Sequence, residues 1–301
     1  MRRIAAILNA TAGSGPDEAL ARLIADAFDK RGVEAHILRE VDASKLRRVA
    51  RSLLDSGFDT LVAGGGDGTV SAVAAEVVSR DATLGVLPLG TLNHFAKDLG
   101  VPLDVEEAIA VICEGETRLV DVGSVNDHSF INNSSLGLYP DQVRVRQKWR
   151  DRLGKWAAMI IASFVVLTRF PYLRIIAELN GERVARRCPM VLISNNMYDL
   201  DRRNLGRRAE MDGSVLGLYL LRDEGRTGLL RVVVHSLVYS PDDAASFESY
   251  SAARIKISTR RRRVRVALDG EVFKLTSPLY YSTVPGRLRV IVPKRADRAE
   301  G

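Results

Sequence analysis

Along the first 120 residues the apolar positions alternate between two rhythms. Short apolar runs at 4–8 (IAAIL), 33–38 (VEAHIL), 60–63 (TLVA) and 83–87 (TLGVL) have the length of buried strands. Between them Leu20, Leu23, Ile24, Ala27 and Phe28 fall at i, i+3, i+4, i+7 and i+8. The same spacing recurs in Leu46, Val49, Ala50, Leu53 and Leu54, and in Val70, Val73, Ala74, Val77 and Val78. It predicts three helices that each bury one face. Gly32 and Gly57 stand where a left-handed residue would stop the first two. A further helix is predicted over 104–114, with Val105, Ala108, Ile109 and Ile112 inward. Strands alternating with helices predict an α/β domain built on a parallel sheet.

After Val120 the rhythm changes. Strand-like pieces at 128–132, 172–179, 189–194, 215–221, 253–258, 264–268, 279–283 and 288–292 are interrupted by helical patterns at roughly 153–168 and 226–238. This half reads as an antiparallel, β-rich domain. The expected division is therefore 1–123 and 124–301, with the last strand a candidate to return to the first domain. A chain of 301 residues also exceeds the ~250 at which single cores stop growing.

Composition narrows the class. With 46% hydrophobic and 27% charged residues the chain is globular, which excludes collagen-like, disordered and disulfide-scaffold proteins. Cys113 and Cys188 make neither a disulfide framework nor a zinc cluster, as expected of a reducing cytoplasm. The start, MRRIAAILNATAG, resembles a signal peptide, but its apolar run from Ile4 to Leu8 is too short for one. Uncharged runs such as Trp156 to Thr168 are too short to span a bilayer.

The net charge of +7 is unevenly placed: residues 1–150 hold 17 basic and 21 acidic side chains, and 151–301 hold 27 and 16. The second half is where a polyanion would be met. Two segments concentrate the charge. Arg144, Arg146, Lys148, Arg150, Arg152 and Lys155 surround one acid, Asp151; Arg254, Lys256, Arg260 to Arg263 and Arg265 form a run without acids. Either solubilising surface or attraction to anionic lipid headgroups accounts for them. Nucleic acid is not expected, because no aromatic residue is interleaved within 254–265.

The strongest chemical signal is Gly64-Gly65-Gly66-Asp67-Gly68-Thr69, between the strand 60–63 and the helix that starts at Val70. Glycines let a backbone approach an anion and aim N–H groups at it, and a helix start adds partial positive charge. An aspartate there would repel phosphate unless Mg²⁺ or a sugar hydroxyl lies between, so Asp67 implies one of these. The loop is neither G-x-G-x-x-G nor Walker A. Loops Asn9 to Gly15 and Pro88 to Asn93 leave the carboxyl ends of neighbouring strands and would line the same crevice, a nucleotide site. In the second half Leu268-Asp269-Gly270-Glu271 and Met211-Asp212-Gly213-Ser214 offer carboxylates, but either is also a plain Asp-Gly turn. His36, His94, His128 and His235 are too dispersed for a metal motif, and serine-hydrolase and protein-kinase signatures are missing.

Taken together these residues resemble the diacylglycerol-kinase-type lipid kinases, a family that includes bacterial diacylglycerol and phosphatidylglycerol kinases and the sphingosine kinases. The resemblance runs through Asn9 with Gly13, Gly65 to Thr69, Pro88, Gly90-Thr91, Asn93, Phe95-Ala96 and Leu99-Gly100. It continues through Asp121, Phe130-Ile131-Asn132, Gly137, Gly154-Lys155, Asp212-Gly213, Leu268 to Glu271 and Val290 to Pro293. The resemblance implies an N-terminal α/β domain and a C-terminal β domain with an active-site cleft between them. It implies ATP on Asn9, Ala10, Thr11, Ala12 and Gly13, on Gly65, Gly66, Asp67, Gly68, Thr69, Val70 and Ser71, and on Thr91 and Asn93. Glu271 would be the base that activates a lipid hydroxyl, with Asp67 organising the Mg²⁺–phosphate group. A second-domain Mg²⁺ would lie near Asp212, with Ala209 and Ser214 as carbonyl ligands. The chain departs from the family at Ser71-Ala72, where an Asn-Glu pair is usual, and after Asp212, where an acidic follower is missing. The expected activity is ATP- and Mg²⁺-dependent phosphorylation of a membrane lipid such as diacylglycerol. It would take place at the inner face of the membrane, reached through segments 144–155 and 254–265. An NAD kinase, or an inactive membrane-binding regulator of the same fold, is the alternative.

Overall fold

The computed structural model describes residues 3–9, 18–40, 42–137, 172–199, 208, 210–222 and 247–294. The chain divides into two compact units, Met1–Val122 with Glu210–Asp212 and Pro285–Gly301, and Gly123–Ala209 with Gly213–Val284. The expected helices over 153–168 and 226–238 lie outside the described residues.

The first unit alternates strand and helix: β1 (Ile4–Asn9), α1 (Glu18–Asp29), β2 (Ala35–Glu40), α2 (Leu46–Asp55), β3 (Thr60–Gly65), α3 (Asp67–Arg80), β4 (Thr83–Pro88), α4 (His94–Asp98) and α5 (Val105–Glu114). β5 (Glu116–Val125) then leads into the second unit. β1, β3 and β4 are buried at nearly every position, as in a parallel sheet covered on both faces. The strand order is 2-1-3-4, all parallel. Connections therefore leave β1 toward one edge and β3 toward the other, so the topological switch lies between the carboxyl ends of β1 and β3.

Local chemistry sets the helix limits. Asp104 caps α5 by accepting the N–H groups of Glu106 at 2.9 Å and Glu107 at 3.0 Å. Gly32 and Gly57 follow α1 and α2 at φ 67° and 84°, the stop positions expected of them. Leu23, expected inward, is 43% exposed, because α1 turns Ile24, Ala27 and Phe28 to the sheet. α3 starts at Asp67, three residues before the expected Val70, so Asp67-Gly68-Thr69 is the first helical turn and not a loop. Its buried Glu76 accepts from Arg51 of α2 at 3.0 Å and from Arg80 at 3.3 Å.

The second unit is antiparallel. After β5 come β6 (His128–Phe130), β7 (Asn133–Gly137), β8 (Leu173–Leu179), β9 (Glu182–Cys188), β10 (Met190–Asn195), β11 (Leu216–Leu221), β12 (Phe247–Ala252), β13 (Arg254–Thr259), β14 (Arg263–Leu268), β15 (Glu271–Thr276) and β16 (Leu279–Val292). One sheet runs 12-11-10-7-14-15, and a second group pairs β13 with β8, β8 with β9, and β13 with residues 279–282 of β16. Their inward side chains form one core that includes Phe130, Ile193, Leu218, Ile257, Val266 and Tyr281. The Tyr281 hydroxyl meets Ser134 Oγ at 2.9 Å, which satisfies both groups in that core.

β16 was expected as two strands and is one. Its break at Gly286 (φ 57°) is filled from the side: the Gly286 N–H donates to the buried Asp121 carboxylate at 2.9 Å. Residues 289–290 then pair in parallel with β4, adding a fifth strand to the first unit's sheet. Asp121 also donates its N–H to Met211 O at 2.8 Å, and so fastens 210–212 to the same unit.

No described helix is long and apolar enough to cross a membrane. Cys188 lies in the second unit's core, and burial pushes its thiol up to about 12. At pH 8 a thiol disulfide reagent should therefore leave Cys188 of the folded protein unmodified. Its labelling rate should rise with denaturant in step with the loss of β-sheet circular dichroism; rapid labelling without denaturant would show that this core is open.

Candidate active site

In the first unit three chain segments meet at the switch point. Asn9 ends β1 and its amide donates to Thr69 Oγ1 of α3 at 2.9 Å, with both residues buried. This bond holds the end of β1 against the first turn of α3. The end of β3 is joined to the β4–α4 segment by the bond from Leu89 N–H to Gly65 O at 3.1 Å.

Close approach, not left-handed backbone, explains the glycines here. Gly66 has φ −87° and ψ −176°, values open to any residue. A Cβ on Gly64 would run into Leu8, and one on Gly65 into the Thr69 side chain. A Cβ on Gly90 would run into the Gly66 Cα and meet Asn93 Oδ1 at 2.7 Å. Gly68, exposed in the first turn of α3, has open space above it. Backbone N–H groups in the first turn of a helix have no intrahelical acceptor, so the glycine segment offers donors and the positive end of α3 to an anion.

The expected nucleotide residues that the structure describes have definite places. Thr69 and Val70 turn their side chains into the unit, where they are 3% exposed, so only their backbone could face a ligand. Ser71 is half-buried one turn past Asp67, and Thr91 is exposed on the β4–α4 segment. Asn93 has φ 51° and is buried; its Oδ1 accepts the Gly90 N–H at 3.0 Å, and its Nδ2 donates to Gly90 O at 2.9 Å and Pro88 O at 3.3 Å. It acts as a clamp that shapes the segment carrying Thr91. One oxygen of Asp67 accepts the Phe95 N–H at 3.0 Å, which fixes the start of α4; the other has no partner among the described residues. Such a carboxylate fits Mg²⁺ held chiefly by phosphates and water. Ala10, Thr11, Ala12 and Gly13 lie outside the described residues.

In the second unit, Asp269-Gly270 is the two-residue turn joining β14 to β15, with φ 46° and 90° and with Leu268 opposite Glu271. Positive φ at both central residues is the type I′ pattern that suits strand twist. The Asp269 carboxylate does more than make a turn. It accepts three backbone N–H groups, from Ile131 and Asn132 at 2.8 Å and from Asn133 at 3.0 Å. The hairpin is thereby pinned to the segment between β6 and β7, and Glu271, exposed at the first position of β15, is presented from a fixed turn.

Around it lies a polar layer that sequence reasoning missed. Arg208, 5% exposed, donates to Ile131 O at 2.6 Å, Asn195 O at 3.1 Å and Asn132 Oδ1 at 2.9 Å. Asn195 donates to the same Ile131 O at 3.1 Å, and Asn133 to the Tyr198 hydroxyl at 3.0 Å. The Asn195-Asn196 pair after an apolar run was the available signal; Arg208 looked like one more surface base.

The expected second-domain metal ligands are described only in part. Asp212 is exposed, and its Oδ2 accepts from the Arg118 guanidinium at 2.9 Å. Ser214 has φ 56°, and Ala209 lies outside the described residues. Among the described residues no three His, Cys, Asp or Glu side chains gather to hold a metal. The Arg118 guanidinium thus stands beside Asp212, where Mg²⁺ was expected. The arginine-rich strand is also less free than its sequence implied, because Lys256 pairs with Glu178 of β8 at 3.1 Å.

Comparison with known proteins bears on both units. Residues 3–125 match the family described as "Diacylglycerol kinase catalytic domain". The diacylglycerol kinase of Bacillus subtilis (strain 168) is 24% identical over 306 residues, covering 100% of this chain and 99% of that protein. "Probable lipid kinase YegS-like" of Enterobacter sp. (strain 638) is 34% identical over 128 residues, 41% of this chain and 42% of that protein. The chain therefore matches under half the length of the YegS-like relative. A crystal structure titled as a diacylglycerol kinase from Bacillus anthracis str. Sterne shares the fold, with TM-score 0.70 and 18% identity over 97% of each chain.

Two outcomes test this site. Gly90→Ala should cost about 1–3 kcal/mol through overpacking against Gly66 and weaken binding of a fluorescent ATP analogue. Gly68→Ala, with open space at its Cβ, should leave the melting temperature unchanged. Unaltered nucleotide binding by Gly90→Ala would separate these loops from the nucleotide. The melting temperature should also be indifferent to EDTA and to added Mg²⁺, with Arg118 serving Asp212; a drop of several degrees in EDTA would restore the metal there.

Proposed function

We propose that this chain, whose residues 3–125 carry the diacylglycerol kinase catalytic domain, is a lipid kinase. It transfers the γ-phosphoryl group of ATP to the hydroxyl of a membrane lipid, diacylglycerol or one like it. It works from the cytoplasm as a peripheral protein at the inner face of the membrane. The observation that carries the reading is the meeting of Asn9, the glycine segment and the Gly90 segment at the switch point of a parallel sheet.

In this mechanism the backbone N–H groups of Gly66 to Gly68 and the start of α3 hold the phosphates, and Asn93 keeps Thr91 beside them. Mg²⁺ accompanying ATP would offset the phosphate charge, with the second oxygen of Asp67 turned to it. The lipid oxygen attacks the γ-phosphorus, the bond to the β,γ-bridging oxygen breaks, and ADP leaves. Glu271 takes the proton released by the hydroxyl. Asp269 is a positioning residue, since it holds the hairpin that carries Glu271 and touches no reacting atom. The Ser71-Ala72 departure leaves the backbone donors in place.

Purified protein with labelled ATP and mixed micelles of diacylglycerol, phosphatidylglycerol, ceramide or a sphingoid base should label one lipid class and should not label NAD. Glu271→Gln should lower the rate about 10²- to 10⁴-fold without altering ATP-analogue binding, and Asp67→Asn should impair both. Labelling of NAD alone, or full activity in Glu271→Gln, would overturn the assignment.

A further inference from the structure

A groove of about 350 Å³ in the second unit is lined by Leu136, Leu173 and Val264 together with Arg261, Arg263, Arg265 and Lys274. Its shape follows from the strands. β14 alternates exposed and buried positions over Arg263, Val264, Arg265 and Val266, so both arginines stand on its exposed face. In the register with β15, Arg265 lies directly opposite Lys274 and Arg263 opposite Thr276. Arg261 belongs to the corner between β13 and β14, where residues 260–263 are all exposed arginines. On its other side β14 pairs with β7 only from Val266 onward.

Among the described residues no carboxylate pairs with Arg261, Arg263 or Lys274, in contrast to Lys256 and Arg186 nearby in the same unit, which hold Glu178 and Glu248. A strand pair that gathers cations around a partly apolar floor has the chemistry to receive a molecule with an anionic head and an apolar body. Arginine's planar fork suits phosphate oxygens in particular.

We propose that this groove docks the second unit on a bilayer by seating the phosphate headgroup of an anionic phospholipid. Arg261, Arg263 and Lys274 are at the phosphate, and Leu173 is against the glycerol and first acyl carbons. The proposal rests on the reading of the chain as a membrane-surface enzyme, and it narrows the contact from a general excess of positive charge to one groove. The rest of the arginine-rich run is secondary: Lys256 is committed to Glu178.

Sedimentation of the full chain with sucrose-loaded vesicles tests it in the absence of ATP, so the outcome is independent of catalysis. Vesicles of phosphatidylcholine with phosphatidylglycerol should bind the protein, and pure phosphatidylcholine vesicles should not. Arg263→Gln and Lys274→Gln should each lower partition about fivefold, and Leu173→Ser should weaken it without changing its salt dependence. Arg183→Gln, an exposed arginine of β9 outside the groove, should do so by much less. Circular dichroism melting confirms that each variant is folded, and millimolar inorganic phosphate should not displace the protein from vesicles. Equal losses in Arg183→Gln and Arg263→Gln, or binding untouched by the groove variants, would overturn the groove. Labelling of a micellar lipid by the parent chain, whatever the groove variants do to vesicle binding, would keep the kinase reading intact.

Discussion

The first unit depends on two backbones passing closer than side chains allow. Gly66 and Gly90 face each other, and a single carbon added to Gly90 would collide with the Gly66 backbone. Everything that gives the switch point its shape follows from this contact. The β3–α3 and β4–α4 segments can lie side by side, Leu89 can donate to Gly65 O, and Asn93 can curl the Gly90 segment back on itself. With the segments so placed, the first turn of α3 keeps its unpaired N–H groups at the carboxyl edge of the sheet, where strand polarity and helix polarity both favour an anion. Asn9 and Thr69 complete the arrangement, the buried Asn9 amide donating to the buried Thr69 hydroxyl.

The second unit solves a different problem, that of anchoring a hairpin turn to another segment of its sheet. A lone hairpin is marginal in water, and its turn would move freely. Asp269 removes that freedom by gathering three N–H groups of another segment onto its two oxygens. Hydrogen bonds to an ionised acceptor are roughly twice as strong as neutral ones. Arg208 supports the same segment from beneath through Ile131 O and Asn132. The Asp-Gly turn read from Leu268 to Glu271 is therefore also the place from which Glu271 is presented.

Much of this was legible in the sequence, for identifiable reasons. The strands β1, β3 and β4 and helices α1, α2 and α3 are announced by apolar spacing because each buries its own residues against near neighbours. Their limits moved where a side chain from elsewhere intervened. α3 began early because Asn9 holds Thr69, and β16 ran on through Gly286 because Asp121 supplies an acceptor. Short edge elements such as β9 and β12 are half exposed and carry no distinctive pattern. The glycine segment stood out because close approach demands glycine itself. Arg208 could not be found, since a buried arginine bonded to carbonyl oxygens has the same letter as a solvated one. Nor could the sequence show that Arg118, 94 positions away, answers the charge of Asp212.

The return of β16 to the first unit also sets an order of events during synthesis. Thr83 and Leu84 lie beside Arg289 and Val290 in the finished sheet, yet the ribosome makes the second unit between them. At 5–20 residues per second the growing chain holds β4 without that neighbour for about 10–40 s. During that interval the nascent first unit carries an apolar strand edge open to any passing strand. The chain must fold a complete β unit before it can close the sheet it began with, so premature termination beyond residue 122 leaves an adhesive intermediate, not a smaller working domain.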